Sequence, residues 1–442
     1  MPRKNYPVVI IGGGPAGTAT ALYLLRMGIT PVIVERSAHP RFHVGESLTG
    51  PTALALKDLG LGPRIEAMNY PIKEGVTFFG PDGKNNFWVP LVKRDENFEQ
   101  VPNYTWNVLR STFDKILFEG AVERGAIWMQ ATAVAPIIEN GAVAGVTIRT
   151  SDGATENVFS QVVIDASGIA TFLANHRVTG KKVPGNSDKQ IALFTQFANT
   201  VRDDGSERRF APGNTLLYYE AKYHWGWFIP VTQELTSVGI VVTSDYFRKA
   251  GMSKEDFMLH MCRHLSPALA KRLPDLAPQE PINAIPNFSY QVMDYTGRGF
   301  LCVGDAHRFI DPIFAYGVFF GVQEGEFAAK AVARYLSGEA SSGENPFADY
   351  ERLCNEGNDV VEDTIGVLWE YPLAFQRIVT IRDRAAALDL LSGRIYGEEG
   401  ATNSARLAFA KLMATKAEQE KKSVEMAARK AAEDQPALAS VA

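Results

Sequence analysis

An early run, Val8-Val9-Ile10-Ile11, is continuously apolar and rich in β-branched residues. Such a run suits a strand buried on both faces of a parallel sheet. Gly12-x-Gly14-x-x-Gly17 comes next, then a helical pattern from Thr18 to Met27 that Gly28 ends. Pro31-Val32-Ile33-Val34 predicts a second strand, closing on Glu35. Later the period changes. Alternation over 186–245 predicts strands near 191–197, 215–220, 225–231 and 236–243, an antiparallel sheet inserted into the first unit. A helix is expected over 253–265, with Ser253 as N-cap and Asp256 three positions on. Helical spacing over 316–336 predicts a long helix, leading into a Ser/Gly/Glu-rich loop over 337–344.

Beyond that loop the pattern is helical. Segments 346–371 and 373–391 carry apolar residues at mixed three and four spacing, with Asn345 as N-cap and Pro346 in the first helical position. Segment 402–430 is rich in Ala, Lys and Glu and reads as a surface helix whose end frays from Ala431. Two regions result: residues 1–340, with an inserted sheet from about 71–101 and 186–288, and a helical region over 341–442.

Composition narrows the classes. The 442 residues are 46% hydrophobic and 21% charged, with a formal charge of -5, so no basic excess points to nucleic acid or an anionic membrane. Cys262, Cys302 and Cys354 are too few and too scattered for a disulfide framework or a zinc site, and no metal site is expected. The apolar run after Arg3-Lys4 is broken by Gly12-Gly13-Gly14 without a small-residue cleavage pattern, and no stretch approaches the roughly 20 residues that span a bilayer. A cytoplasmic protein with reduced thiols is expected.

The first unit has chemistry in its spacing. Gly12 permits the tight turn, Gly14 lets a pyrophosphate approach the backbone, and Gly17 lets the helix pack on the strand. The helix N-terminus offers free N–H groups to phosphates. Glu35 can accept both ribose hydroxyls and would repel a 2′-phosphate. The later segments depart from a compact NAD domain: Arg110-Ser111-Thr112-Phe113-Asp114 opens a helix, Ile164-Asp165-Ala166-Ser167-Gly168 ends an apolar strand, and Phe300 to Val303 runs into Gly304-Asp305-Ala306. In this order the motifs resemble the FAD-dependent aromatic hydroxylases. That resemblance implies cofactor contact by Arg110 and places Asp305 at the flavin ribityl chain. It also implies an α/β, Rossmann-like FAD-binding fold.

Three further segments resemble the flavin-dependent halogenases of the phenol and pyrrole type. They are Gly45-Glu46-Ser47, Trp225-Gly226-Trp227-Phe228-Ile229-Pro230, and Asp311-Pro312-Ile313-Phe314-Ala315-Tyr316-Gly317-Val318. The resemblance spans about residues 7–335. It implies a cofactor cradle of Gly12, Gly14, Ala16, Gly17, Glu35, Arg36, Ser47, Arg110, Asp305, Pro312, Gly317 and Val318. It implies a halide, chloride or bromide, at the Tyr316 and Gly317 amides, and a substrate pocket of Trp225, Trp227 and Phe314. The family's catalytic lysine corresponds to Lys73 in Tyr70-Pro71-Ile72-Lys73-Glu74-Gly75, whereas Lys84 in a Pro-Asp-Gly-Lys turn reads as solvated. In the family, FADH2 and O2 oxidise a halide to hypohalous acid, and the lysine captures it and passes the halogen to a ring. The FADH2 comes from a separate NAD(P)H-dependent flavin reductase.

One departure matters. Halogenases place a small Ser or Thr before the glycine, and Ala315-Tyr316 stands here, so a hydroxylase without a halide site stays open. Phe314 replaces the Glu found in tryptophan halogenases, which implies an electron-rich ring: a phenol or pyrrole, free or tethered to a carrier protein. A non-catalytic flavin-binding or electron-transfer protein is the remaining alternative. His307 and His224 read as structural, and Trp369 and Tyr371 as helix packing.

Overall fold

The structure is a computed structural model and describes residues 5–185, 189–286, 288–339 and 345–433. The expected loop beyond residue 339 and the expected frayed end beyond residue 433 lie outside these residues.

The β-branched run sits at the centre of a parallel sheet. Strand Asn5–Ile11 is flanked by Thr155–Asp165 on one side and Pro31–Val34 on the other; Phe300–Cys302 and Ile127–Met129 complete the parallel set. Val8, Val9, Ile10, Val32 and Ile33 have no exposed surface, as a strand covered on both faces requires. Ala131–Glu139 and Ala142–Thr150 extend the sheet as an antiparallel meander from Thr155–Asp165. Helix Pro15–Arg26 packs on the long helix Gly317–Leu336, whose Tyr316 is the N-cap. Small residues set this approach: a Cβ on Gly321 would lie 3.1 Å from the Ala16 Cβ, and one on Gly325 would lie 2.8 Å from Thr20 Oγ1.

The inserted sheet has seven strands, in the order Asn283–Pro286, Gln190–Phe197, Thr236–Thr243, His224–Pro230, Thr215–Ala221, Gly75–Phe79 and Asn86–Pro90. It is not antiparallel throughout: Thr215–Ala221 pairs in parallel with Gly75–Phe79. These two strands come from separate stretches of chain, so no hairpin dictates their sense. Alternation divides the sheet faces. Ile191, Leu193, Leu216, Tyr218, Phe228, Val238 and Ile240 pack on helix Lys254–His264, which Ser253 caps by accepting from the Asp256 N–H at 3.0 Å. Ala192, Phe194, Leu217, Trp225, Trp227, Val241 and Phe78 face the C-terminal helices and the start of the long helix.

The C-terminal region is more broken than its spacing predicts. The first helix runs over Ala348–Glu370, leaving Pro346 outside it, while the Asn345 side chain accepts from the Phe347 N–H at 3.0 Å. The expected single helix over 373–391 is three pieces: Pro372–Arg377, a π-helical turn Ile378–Arg382, and Arg384–Leu391. The wide turn rephases the helix so that Phe375, Ile378, Val379, Ala387 and Leu388 all reach the core. Ser404–Glu433 is the last helix.

Candidate active site

The glycine turn has the shape of a dinucleotide cradle. Gly12 has φ +106, and a Cβ there would lie 2.4 Å from the Ala166 carbonyl oxygen. A Cβ on Gly17 would lie 2.0 Å from the Gly12 oxygen, so the helix closes on the turn only because Gly17 lacks one. A Cβ on Gly14 would meet, within 4 Å among the described residues, just the far end of Arg41 at 3.8 Å, which leaves open backbone at the helix N-terminus. Glu35 Oε2 accepts from the Gly13 N–H at 2.8 Å and Oε1 from the Ser37 N–H at 2.9 Å. Its ion pair is with Arg41, at 3.3 Å, while Arg36 is exposed. Ala16 turns its methyl onto Gly304 and Gly321. A cradle that a Cβ would fill, a helix start without a side-chain cap and a buried carboxylate together fit the adenosine and pyrophosphate half of FAD.

Arg110 and Asp305 come together electrostatically beside the loop after the second strand. Arg110 Nε donates to Asp114 at 2.7 Å and Nη2 at 3.0 Å, while Nη1 donates to the Val44 carbonyl and, at 3.3 Å, to that of Gly45. Its fork therefore fixes the Gly45-Glu46-Ser47 loop. Asp305 lies in the short 3-10 turn Gly304–Ala306, whose N-cap position is taken by Val303 and not by the aspartate. Burial pushes its carboxyl up to about 7 against the pull of Arg110. The turn is pinned from behind by Glu324, which accepts from the Gly304 N–H at 2.7 Å, from His307 at 2.8 Å and from Asn358 at 2.9 Å. His307 stacks on Tyr295 with ring centroids 4.0 Å apart, which is a packing role.

Lys73 is buried in the two-residue strand Ile72–Lys73, which pairs with Thr105–Trp106. Its amine donates to Ser47 Oγ at 2.9 Å and to the Leu48 carbonyl at 3.0 Å. Burial brings the amine down to about 7. Lys84 is exposed in a turn held by Asp82. The adjacent Glu46 is also buried: Ser237 donates to its Oε2 at 3.1 Å, its Oε1 has no partner, and burial pushes its carboxyl up to about 7.

A cluster of aromatic rings lies on the sheet face that packs against the C-terminal helices. Trp225 and Trp227 project from one sheet face with centroids 5.8 Å apart. Trp227 Nε1 donates to Ser237 Oγ at 3.1 Å, which joins it to Glu46, while the buried Trp225 Nε1 has no partner. Phe314 stacks on Phe375 at 5.9 Å and meets Phe78 edge-on. Pro312 opens a 3-10 turn, and Ala315 leaves it at φ +58. Tyr316 and Gly317 then head the long helix without a side-chain cap, and a Cβ on Gly317 would meet nothing within 4 Å. The next residue, Val318, is buried. Tyr316 is also buried, and its hydroxyl donates to the Leu390 carbonyl at 2.8 Å, tying the helix start to the C-terminal region. Trp369 is buried, donating to Asp311 Oδ2 at 3.1 Å.

Sequence reasoning missed Glu46 as a titrating group, Glu324 as the brace of the Asp305 turn, and Asn107 and Thr215, both buried beside Ser47. Glu46 carried a signal, since an acid inside a motif between apolar neighbours is a candidate for burial; the others carried none. An open cleft of about 500 Å³, lined by Tyr70, Ile72, Tyr104, Trp106 and Gln233, does not include Lys73. Among the described residues no cluster could hold a metal, and no helix is long and apolar enough to cross a membrane. Cys262, Cys302 and Cys354 are buried free thiols.

A family model described as an FAD binding domain matches residues 5–356, the stretch that holds the cradle, the buried carboxylate and the Asp305 turn, and the chain is an FAD-dependent flavoprotein. The 1H-pyrrole-2-carbonyl peptidyl-carrier-protein brominase of Pseudoalteromonas luteoviolacea (strain 2ta16) is 35% identical over 90% of this chain and 94% of that protein. The corresponding chlorinase of Pseudomonas fluorescens is 28% identical over 90% of this chain and 91% of its own. The solved structure of the flavin-dependent brominase Bmp2 superposes with a TM-score of 0.86 at 33% identity, covering 94% of this chain and 100% of that one. The chain belongs to the flavin-dependent halogenases, enzymes of flavin-dependent halogenation.

Proposed function

We propose that this enzyme halogenates the pyrrole ring of a pyrrole-2-carbonyl group carried on a peptidyl-carrier protein, with Lys73 delivering the halogen. The substrate class is supported by the two relatives that act on such a carrier-bound ring and match nearly end to end. The delivery role rests on one observation: a buried amine brought down to about 7, donating to Ser47 of the Gly45-Glu46-Ser47 loop.

FAD is held by the Gly12, Gly14 and Gly17 turn with Ala16, by Glu35 and Arg36 toward the ribose, and by Ser47, Arg110, Asp305, Pro312, Gly317 and Val318 toward the flavin. Reduced FAD with O2 supplies the two-electron oxidation of chloride or bromide to hypohalous acid. The Tyr316 and Gly317 N–H groups hold the halide, since they head a helix with no side chain competing for them. Lys73 receives the hypohalous acid. With burial bringing the amine down to about 7, both forms are available near neutral pH: the free base, which is nucleophilic, and the ammonium, which hydrogen-bonds. Trp225, Trp227 and Phe314 keep water out and bring an electron-rich ring alongside. Phe314 offers no charge to a developing cation, which suits a pyrrole. A separate NAD(P)H-dependent reductase regenerates the reduced flavin, in a cytoplasmic setting.

Product mass tests this. The protein would receive FAD, a flavin reductase, NADH, O2, and chloride or bromide, with pyrrolyl-loaded carrier protein and a panel of free pyrroles and phenols. The expected result is a halogen isotope pattern on the carrier-bound pyrrole that vanishes in Lys73→Ala with FAD still bound. A gain of one oxygen without halogen, under either halide, would overturn the proposal in favour of a hydroxylase.

A further inference from the structure

Lys73 ends a chain of hydrogen bonds whose direction is set at the other end. The Asn107 side-chain nitrogen donates to the Gly213 carbonyl at 2.7 Å. A carbonyl only accepts, so this contact orients the amide and leaves Oδ1 facing Thr215. The Thr215 hydroxyl donates its one hydrogen to Asn107 Oδ1 at 3.3 Å. Toward Ser47, 2.9 Å away, it can then only accept. Ser47 has thereby given up its own hydrogen and accepts from Lys73 Nζ; the Leu48 carbonyl is the second acceptor. Ser47, Lys73, Asn107 and Thr215 are all buried, at 3% exposure or less for the first three and 4% for Thr215, so bulk water does not compete.

A neutral amine has two N–H groups and one lone pair. Here both N–H groups face obligate acceptors. The geometry points to Ser47, Thr215 and Asn107 as positioning residues that keep the free-base lone pair of Lys73 uncapped and turned away from its anchors, ready for an electrophilic halogen. This rests on the reading of Lys73 as halogen carrier. In the step it serves, the lone pair forms the N–halogen bond and the O–halogen bond of hypohalous acid breaks. The departing hydroxide takes a proton from the same nitrogen and leaves as water. A π pair of the pyrrole then takes the halogen, the N–halogen pair stays on nitrogen, and the ring proton returns to restore the amine.

The chain makes an asymmetric prediction. Thr215→Val keeps the side-chain shape but removes the acceptor for Ser47, whose hydroxyl then turns its hydrogen onto the Lys73 lone pair. Thr215→Ser keeps the chain. Ser47→Ala combined with Thr215→Val removes the capping hydroxyl altogether. Cyanate, a three-atom electrophile that requires a free amine lone pair, reads this directly on the FAD-bound protein through mass spectrometry of the Lys73 peptide. Thr215→Val should slow carbamylation of Lys73 by about tenfold or more, the scale of one hydrogen bond, with other lysines unaffected. It should also raise the fraction of hypohalous acid reaching a small scavenger, with flavin oxidation unchanged. Thr215→Ser should match wild type, and the double variant should react faster than Thr215→Val. Asn107→Leu breaks the chain from its far end and should slow Lys73 in the same way, which keeps the test decisive should Thr215→Val fold poorly. Wild-type cyanate reactivity in Thr215→Val, or a double variant no faster than it, would overturn the inference. Lys73→Met in the halogenation assay separates the two ideas: wild-type product formation there overturns the carrier role itself, whatever cyanate reports.

Discussion

Replacing Lys73 with methionine isolates what the burial of one amine does to the protein. Methionine keeps an unbranched chain of similar volume and removes the ionisable group. Burial holds the amine at about 7, against an ordinary value of 10.5. Each tenfold loss of proton affinity is about 1.4 kcal/mol against the charged form, so the penalty is about 5 kcal/mol where the group is charged in both states. Because the folded value lies below the unfolded one, the unfolded chain holds more protons between the two, and stability rises with pH across that window. The penalty is therefore complete below about pH 7 and fades as pH climbs toward about 10.5. Combining the two titrations, wild type should gain about 2.5–3 kcal/mol relative to Lys73→Met between about pH 6 and about pH 9. Ser47 and Leu48 each lose a donor in the variant, at about 1–3 kcal/mol, but that cost is the same at both pH values and cancels. Urea unfolding of both proteins in saturating FAD, at matched ionic strength, measures the difference. Stability curves that run parallel from pH 6 to 9 would refute a depressed lysine, and with it the supply of free amine at neutral pH.

Other substitutions separate cradle, brace and anchor. Gly17→Ala places a Cβ 2.0 Å from a backbone oxygen and should destabilise by about 2–4 kcal/mol, read as a fall in Tm without FAD. Gly14→Ala meets nothing closer than 3.8 Å, so Tm without FAD should hold within the effect of about 0.5 kcal/mol while FAD affinity falls in a fluorescence titration; unchanged affinity would remove Gly14 from the cradle. Glu324→Leu strips the acceptor from Gly304, His307 and Asn358 and should cost about 3 kcal/mol or more, with weaker FAD binding, since the Asp305 turn loses its brace. Tyr316→Phe deletes the bond to the Leu390 carbonyl, worth about 1 kcal/mol, and should speed amide exchange locally over Arg384–Leu391 with Tm nearly unchanged.

Periodicity and spacing reveal faces and turns, and these parts were legible. Val8 to Ile11 could be placed in a doubly covered strand because a run apolar at every position has no solvent side. Strand Thr236–Thr243 falls where alternation puts it, and alternation likewise sets Trp225 and Trp227 on one face. Periodicity is blind to partners. The parallel join of Thr215–Ala221 to Gly75–Phe79 is a pairing across more than a hundred residues with no hairpin between. The π-helical turn over Ile378–Arg382 answers a packing demand that only the assembled core makes. Asn107 and Thr215 are polar residues at strand ends, and their meaning lies in a direction of hydrogen bonding that no local pattern encodes.

The short loop Gly45-Glu46-Ser47 shows why a motif of three residues carries so much. Each position faces a different part of the site. Gly45, at φ +97, leaves its carbonyl to Arg110, and a Cβ there would lie 3.0 Å from the guanidinium, so the loop and the cation that neighbours Asp305 are fixed together. Glu46 takes the Ser237 hydroxyl, and through it the Trp227 indole. Ser47 takes the Lys73 amine. A shift of this loop moves the Arg110 guanidinium, the Trp227 indole and the Lys73 amine together. A substitution at Gly45 should accordingly disturb FAD binding and the Lys73 amine in one step, whereas loss of a single partner, such as Ser237→Ala, should loosen Trp227 and leave Lys73 near its wild-type cyanate reactivity.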